Sequence, residues 1–261
     1  MKLRAYGQTH PGLERDNNED ALLVNVEAGL FVVADGMAGH RYGELASAIC
    51  VDTLKRFFET DKLDNPLKKH LARAKLQGQV PQNMPYQQFK LKSAIEEGNR
   101  AIFETATKNP EFETMGTTVV GAIIVGKSIF LAHVGDSRIY RFRRGQLEQV
   151  THDHSLLNEY LKLNLLSPEE AEAFPMKNVI VRALGLADHV EVELGKRTAQ
   201  KGDRLMLCSD GLSDLVKDEK IAEVFEKGEE PRIQVETLIQ LALDAGGLDN
   251  VTVLVAEVED V

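Results

Sequence analysis

Cysteine is scarce: Cys50 and Cys208 are the two in 261 residues, far apart in the chain. Two distant thiols, one inside the apolar run Leu205-Met206-Leu207-Cys208, exclude a disulfide framework and read as buried thiols of a reducing compartment. No Cys and His spacing resembles a zinc site. Apolar runs near the roughly 20 residues that cross a bilayer are missing, and Met1 to His10 lacks the apolar core of a signal peptide. The expected location is therefore cytoplasmic, with no membrane span. Basic excess is missing too, since 31 Lys and Arg face 41 Asp and Glu for a formal charge of -10. A polyanion is repelled on average by such a surface, and no basic or aromatic tract compensates, which argues against nucleic acid and anionic lipid. Internal repeats and low-complexity segments are absent.

A hydrophobic content of 43% is ordinary for a globular protein, and the length suits one large domain, taken here as residues 1–261. Short apolar, β-branched runs ending in Gly, Asp or Asn cover Ala21 to Val26, Leu30 to Ala34, Thr117 to Val125, Ile129 to Val134, Arg138 to Phe142, Arg204 to Cys208 and Val251 to Val258. Their lengths are those of strands. Gly126-Lys127 and Arg144-Gly145 sit between such runs as turns, favouring antiparallel hairpins over βαβ units. Three stretches carry helical periodicity: Gly43 to Phe58 (Leu45, Ala48, Ile49, Val51, Phe58), Gln87 to Lys108 (Leu91, Ala94, Ile95, Ile102, Ala106) and Pro231 to Ala245 (Val235, Leu238, Ile239, Ala242). Each lays one face on a sheet. Residues 60 to 86, rich in Lys, Gln, Asn and Pro, read as a surface connection or weak helix.

Acids fall at the ends of these runs. Asp35 follows Phe31 to Ala34, Asp136 follows Leu131 to Gly135, and Asp210 follows Leu205 to Ser209. Asp249 precedes the run from Val251, and Glu19-Asp20 precede the run from Ala21. A charge beside a core strand is costly unless it is paired or bound to a metal. Any one of these acids alone reads as a turn or cap. Six together point to a metal cluster, and an Asp-Gly pair such as Asp35-Gly36 can offer a carboxylate and a carbonyl to one hard cation. Oxygen ligands favour Mg²⁺ or Mn²⁺ over Zn²⁺.

In order along the chain stand R-x-x-x-E-D (Arg15 to Asp20), A-D-G-M-A-G-H (Ala34 to His40), G-T-T (Gly116 to Thr118), G-D-S-R (Gly135 to Arg138), S-D-G-L (Ser209 to Leu212) and D-N-V-T (Asp249 to Thr252). This ordered set resembles the protein phosphatase 2C family, in its compact bacterial form, over essentially the whole chain. The resemblance implies an α+β fold in which an antiparallel β-sandwich is flanked by helical pairs in α-β-β-α layers, with the metal site at one end. It implies a metal-dependent phosphatase acting on phosphoserine and phosphothreonine in proteins, through a hydroxide bridging two metals and without a covalent phosphoenzyme. Asp35 would bridge the two metals; Asp210 and Asp249 would complete one, and Glu19 with the Gly36 carbonyl the other. Asp136 and Asp210 match the positions of a third metal. Arg15 matches the phosphate-binding arginine. Asp20 would orient metal-bound water, Thr117 would support it or simply fill the core, and His40 is the candidate general acid, with a loop role as the alternative. Ala38 stands where the family's loop has glycine. Residues about 155–180 correspond to a flap beside the cleft. Phosphorylated proteins, a cognate kinase and its substrates are the implied partners in signal transduction, and the chain is expected to be a monomer.

Two rivals use the same residues. A metal-dependent phosphodiesterase or nuclease could employ the same carboxylates, although the acidic charge weakens it. A catalytically dead binding module predicts a lost ligand, and every matched position is intact. Gly121 to Ser128 fits the pattern G-x-x-x-x-G-K-S, but its apolar interior reads as a hairpin rather than a phosphate loop.

Overall fold

A strand that is apolar at every position has two faces to bury, and the neighbours of these strands cover both. In the strand Leu30–Met37 the side chains of Phe31 and Val33 join one core cluster while Leu30, Val32 and Ala34 join another. The strand Arg204–Cys208 divides likewise, with Leu205 and Leu207 on one side and Met206 and Cys208 on the other. A computed structural model describes residues 1–37, 42–60, 63–167, 170–171, 174–176 and 179–260.

Two antiparallel sheets stack face to face. The first runs β1 (Lys2–His10), β11 (Val251–Asp260), β10 (Arg204–Cys208), β7 (Arg138–Arg143) and β8 (Gln146–Gln149). The second runs β2 (Asp20–Asn25), β3 (Leu30–Met37), β5 (Val119–Val125), β6 (Ser128–Val134) and β9 (Glu193–Thr198), with the two-residue β4 (Gly116–Thr117) on the end of β3. Phe31, Val33, Ile124, Leu131, Leu207 and Leu254 fill the space between sheets. Each such buried side chain contributes about 2 kcal/mol. Helices α1 (Gly43–Glu59), α2 (Asp64–Leu76) and α3 (Tyr86–Lys108) lie on the second-sheet side. The α6 (Asp218–Glu226) and α7 (Pro231–Asp244) helices cover the first sheet. A short α4 (Leu156–Lys162) and a single turn α5 (Asp210–Ser213) complete the helices used below. The α+β sandwich with α-β-β-α layers expected from the sequence is thus present.

Both hairpins form: Gly126 joins β5 to β6, and Arg144-Gly145, both at positive φ, join β7 to β8. The phosphate-loop pattern is that first hairpin. Helix α3 buries Leu91, Ala94, Ile95, Ile102 and Ala106, and α7 buries Val235, Leu238, Ile239 and Ala242, all as the periodicity indicates. Helix α1 is turned from its expected face. Its buried residues are Ala46, Ser47, Cys50, Thr53 and Leu54, with Leu45, Ile49, Val51 and Phe58 partly buried and Ala48 exposed. Small side chains face α3 at Gly98, where an added Cβ would lie 3.5 Å from Leu54 and 3.8 Å from Cys50. Residues 60–86 hold a 13-residue helix, whose Leu67 and Leu71 pack with Met84 and Phe89 in a satellite core. The run Thr117 to Val125 breaks at Thr118, because β4 pairs with β3 while Thr118 turns its amide onto the Asp35 carbonyl at 2.8 Å. Both cysteines are free and buried, and burial pushes each thiol up to about 12. Among the described residues, no helix is long and apolar enough to cross a membrane.

Antiparallel pairing brings the start of one strand to the end of the next. Asp20 opens β2 directly opposite Asp35 on β3. Val33 lies opposite Val120, and Val119 opposite Val134, so β6 ends at the same edge and delivers Gly135-Asp136 there. In the other sheet Cys208 lies opposite both Arg138 and Val253, which places Asp210 beside the start of β11 and Asp249. One end of the sandwich therefore collects the acids.

Candidate active site

The main chain around Asp35 is held from both sides. Its amide donates to Thr118 Oγ1 (3.1 Å), and its carbonyl accepts from Thr118 N–H and Thr117 Oγ1, each at 2.8 Å. Thr117, fully buried, thus fixes the backbone of Asp35. The Thr118 hydroxyl also pairs with Ser137 at 2.7 Å, tying the Asp35 turn to the Asp136 turn.

The acids interact in a chain. Burial pushes Asp20 up to about 7, and Asp210 and Asp249 add repulsion. Burial pushes Asp136 to about 7 and Asp210 to about 6. Asp35 is held well above the usual carboxylate range by burial and by the nearby charges of Asp20, Asp210 and Asp136. Asp20 Oδ2 accepts from Thr252 Oγ1 (2.6 Å) and Ser209 Oγ (2.8 Å), while its Oδ1 and the Oδ1 of Asp136 are buried without a partner among the described residues. Buried acceptors are rarely left unpaired, and four acids raised together would all relax around positive charge. The donor set is oxygen only, so the residues fit hard divalent cations.

Across the cleft, Arg15 donates to Asp249 Oδ2 at 2.8 Å, and more than half of its side chain is exposed. Glu19 sits in a cradle of glycines. A Cβ on Gly43 would lie 2.5 Å from Glu19 Oε2, and one on Gly36 would lie 2.1 Å from the Gly43 carbonyl. The Glu19 carbonyl accepts from Ser47 Oγ (2.6 Å) and Gly36 N–H (3.1 Å). Burial raises the Glu19 carboxyl, with Glu44 adding to the effect. Asn250 fastens this loop to β11: its Oδ1 accepts from Glu19 N–H (2.7 Å), and its Nδ2 donates to the carbonyls of Pro11 (2.9 Å) and Asn17 (2.8 Å). Beside the acids lies a cavity of about 460 Å³ lined by Asp136, Asp210, Arg138, Ser213, Asn158 and Leu248 among others.

The structure brings Glu19, Asp20, Asp35, Gly36, Asp136, Asp210, Asp249 and Arg15 to one cleft. His40, like Ala38, lies outside the described residues. Sequence reasoning missed Ser209, Thr252, Thr118, Ser137 and Asn250, which hold the acids. For Ser209, Ser137 and Asn250 the signal was a hydroxyl or amide immediately beside an acid, and Thr118 and Thr252 stood within the quoted motifs.

A sequence model of the family described as protein phosphatase 2C matches residues 12–240. The chain belongs to the protein phosphatase 2C family. The serine/threonine protein phosphatase PstP of Mycobacterium tuberculosis is 39% identical over 260 residues, covering 100% of this chain and 46% of that protein. The chain thus spans about half the length of that relative. The protein phosphatase PhpP of Streptococcus pneumoniae is 33% identical over 257 residues, covering 97% of this chain and 96% of its own length. The crystal structure of the catalytic domain of PstP in complex with two manganese ions superposes with a TM-score of 0.81 at 37% identity, covering 99% of each chain. The protein phosphatase 2C fold is therefore shared across the chain.

Proposed function

We propose that this chain hydrolyses phosphoserine and phosphothreonine monoesters in proteins and depends on Mn²⁺ or Mg²⁺ to do so. The carrying observation is the set of carboxylates at one end of the sandwich, with Asp20 Oδ1 and Asp136 Oδ1 buried and unpartnered among the described residues. Family membership, the relatives and the two manganese ions of the PstP structure support it. Asp35 is assigned to two cations, Asp210 and Asp249 to one of them, Glu19 and the Gly36 carbonyl to the other, and Asp136 with Asp210 to a third. When bound, the cations supply Lewis acidity toward water and phosphoryl oxygens.

The chain's own residues set the rest. Asp20, with Oδ2 saturated by two hydroxyls, keeps Oδ1 as the acceptor that orients a nucleophilic water. Arg15 is exposed and long enough to leave Asp249 and grip two phosphoryl oxygens. His40 is assigned to protonate the leaving alkoxide. Residues 1–261 act as one catalytic unit and residues 155–180 as a flap at the cavity, where Ser155, Leu157 and Asn158 already contribute to the wall. The assigned partners are phosphorylated proteins and a cognate kinase, met by a cytoplasmic monomer.

Purified protein with Mn²⁺ should cleave an aryl phosphate and a phosphothreonine peptide, and chelation should abolish both. Undiminished turnover by Asp35→Ala or Asp249→Ala would sink the ligand assignment. Cleavage of a phosphodiester but no monoester would favour a nuclease, and tight peptide binding without turnover a binding module.

A further inference from the structure

Outside the carboxylate cluster, His133, His154 and Glu193 converge so that one ligand atom of each lies within 4.8 Å of the others. Their hydrogen bonds argue against a resident metal. Gly135 N–H donates to His154 Nδ1 at 3.1 Å, so Nδ1 is unprotonated and the ring proton sits on Nε2, which faces Glu193 Oε2 at 3.2 Å. A metal on Nε2 would then require an imidazolate. His133 Nε2 is committed as a donor to the His152 carbonyl at 2.9 Å, which removes that nitrogen alone from ligation. The cluster has a different use.

We propose that His154 is a positioning residue that aims Asp136 into the carboxylate cleft by clamping Gly135. Two bonds form the clamp: Gly135 N–H to His154 Nδ1, and His154 N–H to the Gly135 carbonyl at 2.9 Å. Gly135 needs such restraint. It has φ +105°, and a Cβ there would lie 2.6 Å from the Thr118 side chain, so only glycine fits and glycine alone does not hold a conformation. The next residue carries the buried, unpartnered Asp136 Oδ1. His154 is itself locked. It is 1% exposed, its ring stacks on His133 at 4.7 Å and 18°, and Glu193, opposite His133 in the β6–β9 register, accepts its Nε2 proton. That acceptance leaves Nδ1 free for the glycine amide, the usual way an outer partner selects a histidine tautomer.

The inference rests on Asp136 being a cation ligand, so its test counts bound Mn²⁺ by calorimetric titration, with no assay of turnover. Asp136→Ala should remove or weaken one class of Mn²⁺ site; no change would overturn the ligand reading and, with it, the inference. His154→Ala should weaken the same class by about 10- to 100-fold, the range for lost outer partners of ligands. His154→Asn, whose amide oxygen can stand in for Nδ1, should recover most of that loss. In the Asp136→Ala background, His154→Ala should change Mn²⁺ binding no further. Unchanged binding by folded His154→Ala, equal loss with Asp136 absent, or Asn no better than Ala each overturns the clamp while leaving the ligand reading intact. Glu193→Ala serves if His154→Ala does not fold: Nε2 should lose its proton preference in a long-range ¹H–¹⁵N spectrum and Mn²⁺ binding should weaken several-fold. Unaltered spectrum and binding overturn the proposal.

Discussion

Asp203 and Asp136 are both acids buried beside the first sheet's strands, 1% and 8% exposed. Asp203 is saturated: Arg143 Nε reaches Oδ1 at 2.5 Å, Arg143 Nη2 reaches Oδ2 at 2.6 Å, and the Gln200 amide donates to Oδ2 at 2.7 Å. Asp153, also 8% exposed, is gripped by Arg138 at 2.7 Å and by Gln149 at 2.9 Å. Asp136 has an orphaned oxygen and a raised pKa, and its acidic neighbour Asp210 makes it worse. The same chain supplies arginine to Asp203 and Asp153, where a carboxylate serves the fold, and supplies no partner among the described residues to Asp136 Oδ1. Burial alone says little about a buried acid's role; the presence or absence of a built-in counter-cation says much.

That contrast breaks first at the cluster. Asp35→Ala should remove several kcal/mol of transition-state stabilisation, about 10³-fold or more in kcat, measured with an aryl phosphate at saturating Mn²⁺. In chelated protein, Asp35→Asn should raise the melting temperature, because a repelled acid is removed. Asp203→Ala should do the opposite: about 3 kcal/mol less stable in urea unfolding, from stranding Arg143, with Mn²⁺ affinity kept. Ser209→Ala, which strips one hydroxyl from Asp20, should reduce kcat about 10-fold, with Mn²⁺ still bound.

The smallest expected effect is in pH. Asp20, Asp136 and Asp210 have folded pKa values raised to about 7, 7 and 6. A raised acid contributes stability below its unfolded value, and that contribution is lost as pH rises through the folded value. Chelated protein should therefore lose this part of its stability as pH rises from about 4 to about 7. His133 and His154, depressed by burial, act in the opposite sense below their ordinary range. They cancel when melting temperatures with and without Mn²⁺ are subtracted, and that difference should grow by a few degrees from pH 5.5 to pH 8. A difference independent of pH would separate the acids from cation binding.

How much of this was legible depended on double burial. Strands covered on both faces, such as β3, β5, β6 and β11, appear as unbroken apolar runs. The β1, β8 and β9 strands went unread because each lies at a sheet edge and none has a fully apolar face; KLRAYGQTH and ELGKRT contain no fully buried residue. Helix α6 buries just Ile221, Val224 and Phe225, too short a period to stand out. The face of α1 was misjudged because periodicity weighs large side chains, and here close approach to α3 selected small ones. At the site, acids beside glycine at strand ends stood out because charge there is costly. The hydroxyls of Ser209 and Thr252 did not, since a Ser before a helical turn and a Thr inside a strand are both ordinary without any special partner.

Pairing of β1 with β11 has a temporal side. Arg15 and Asp249 meet across 234 positions, and Asn250 reaches back to Pro11, Asn17 and Glu19. Contacts of such sequence separation form late, after loop closure over nearly the whole chain. During synthesis the cleft cannot assemble until β11 has left the ribosome, so a half-made chain lacks the complete site. Nascent chains arrested near residue 245 should bind no Mn²⁺ at the cleft, and detection of such binding would refute this order of events.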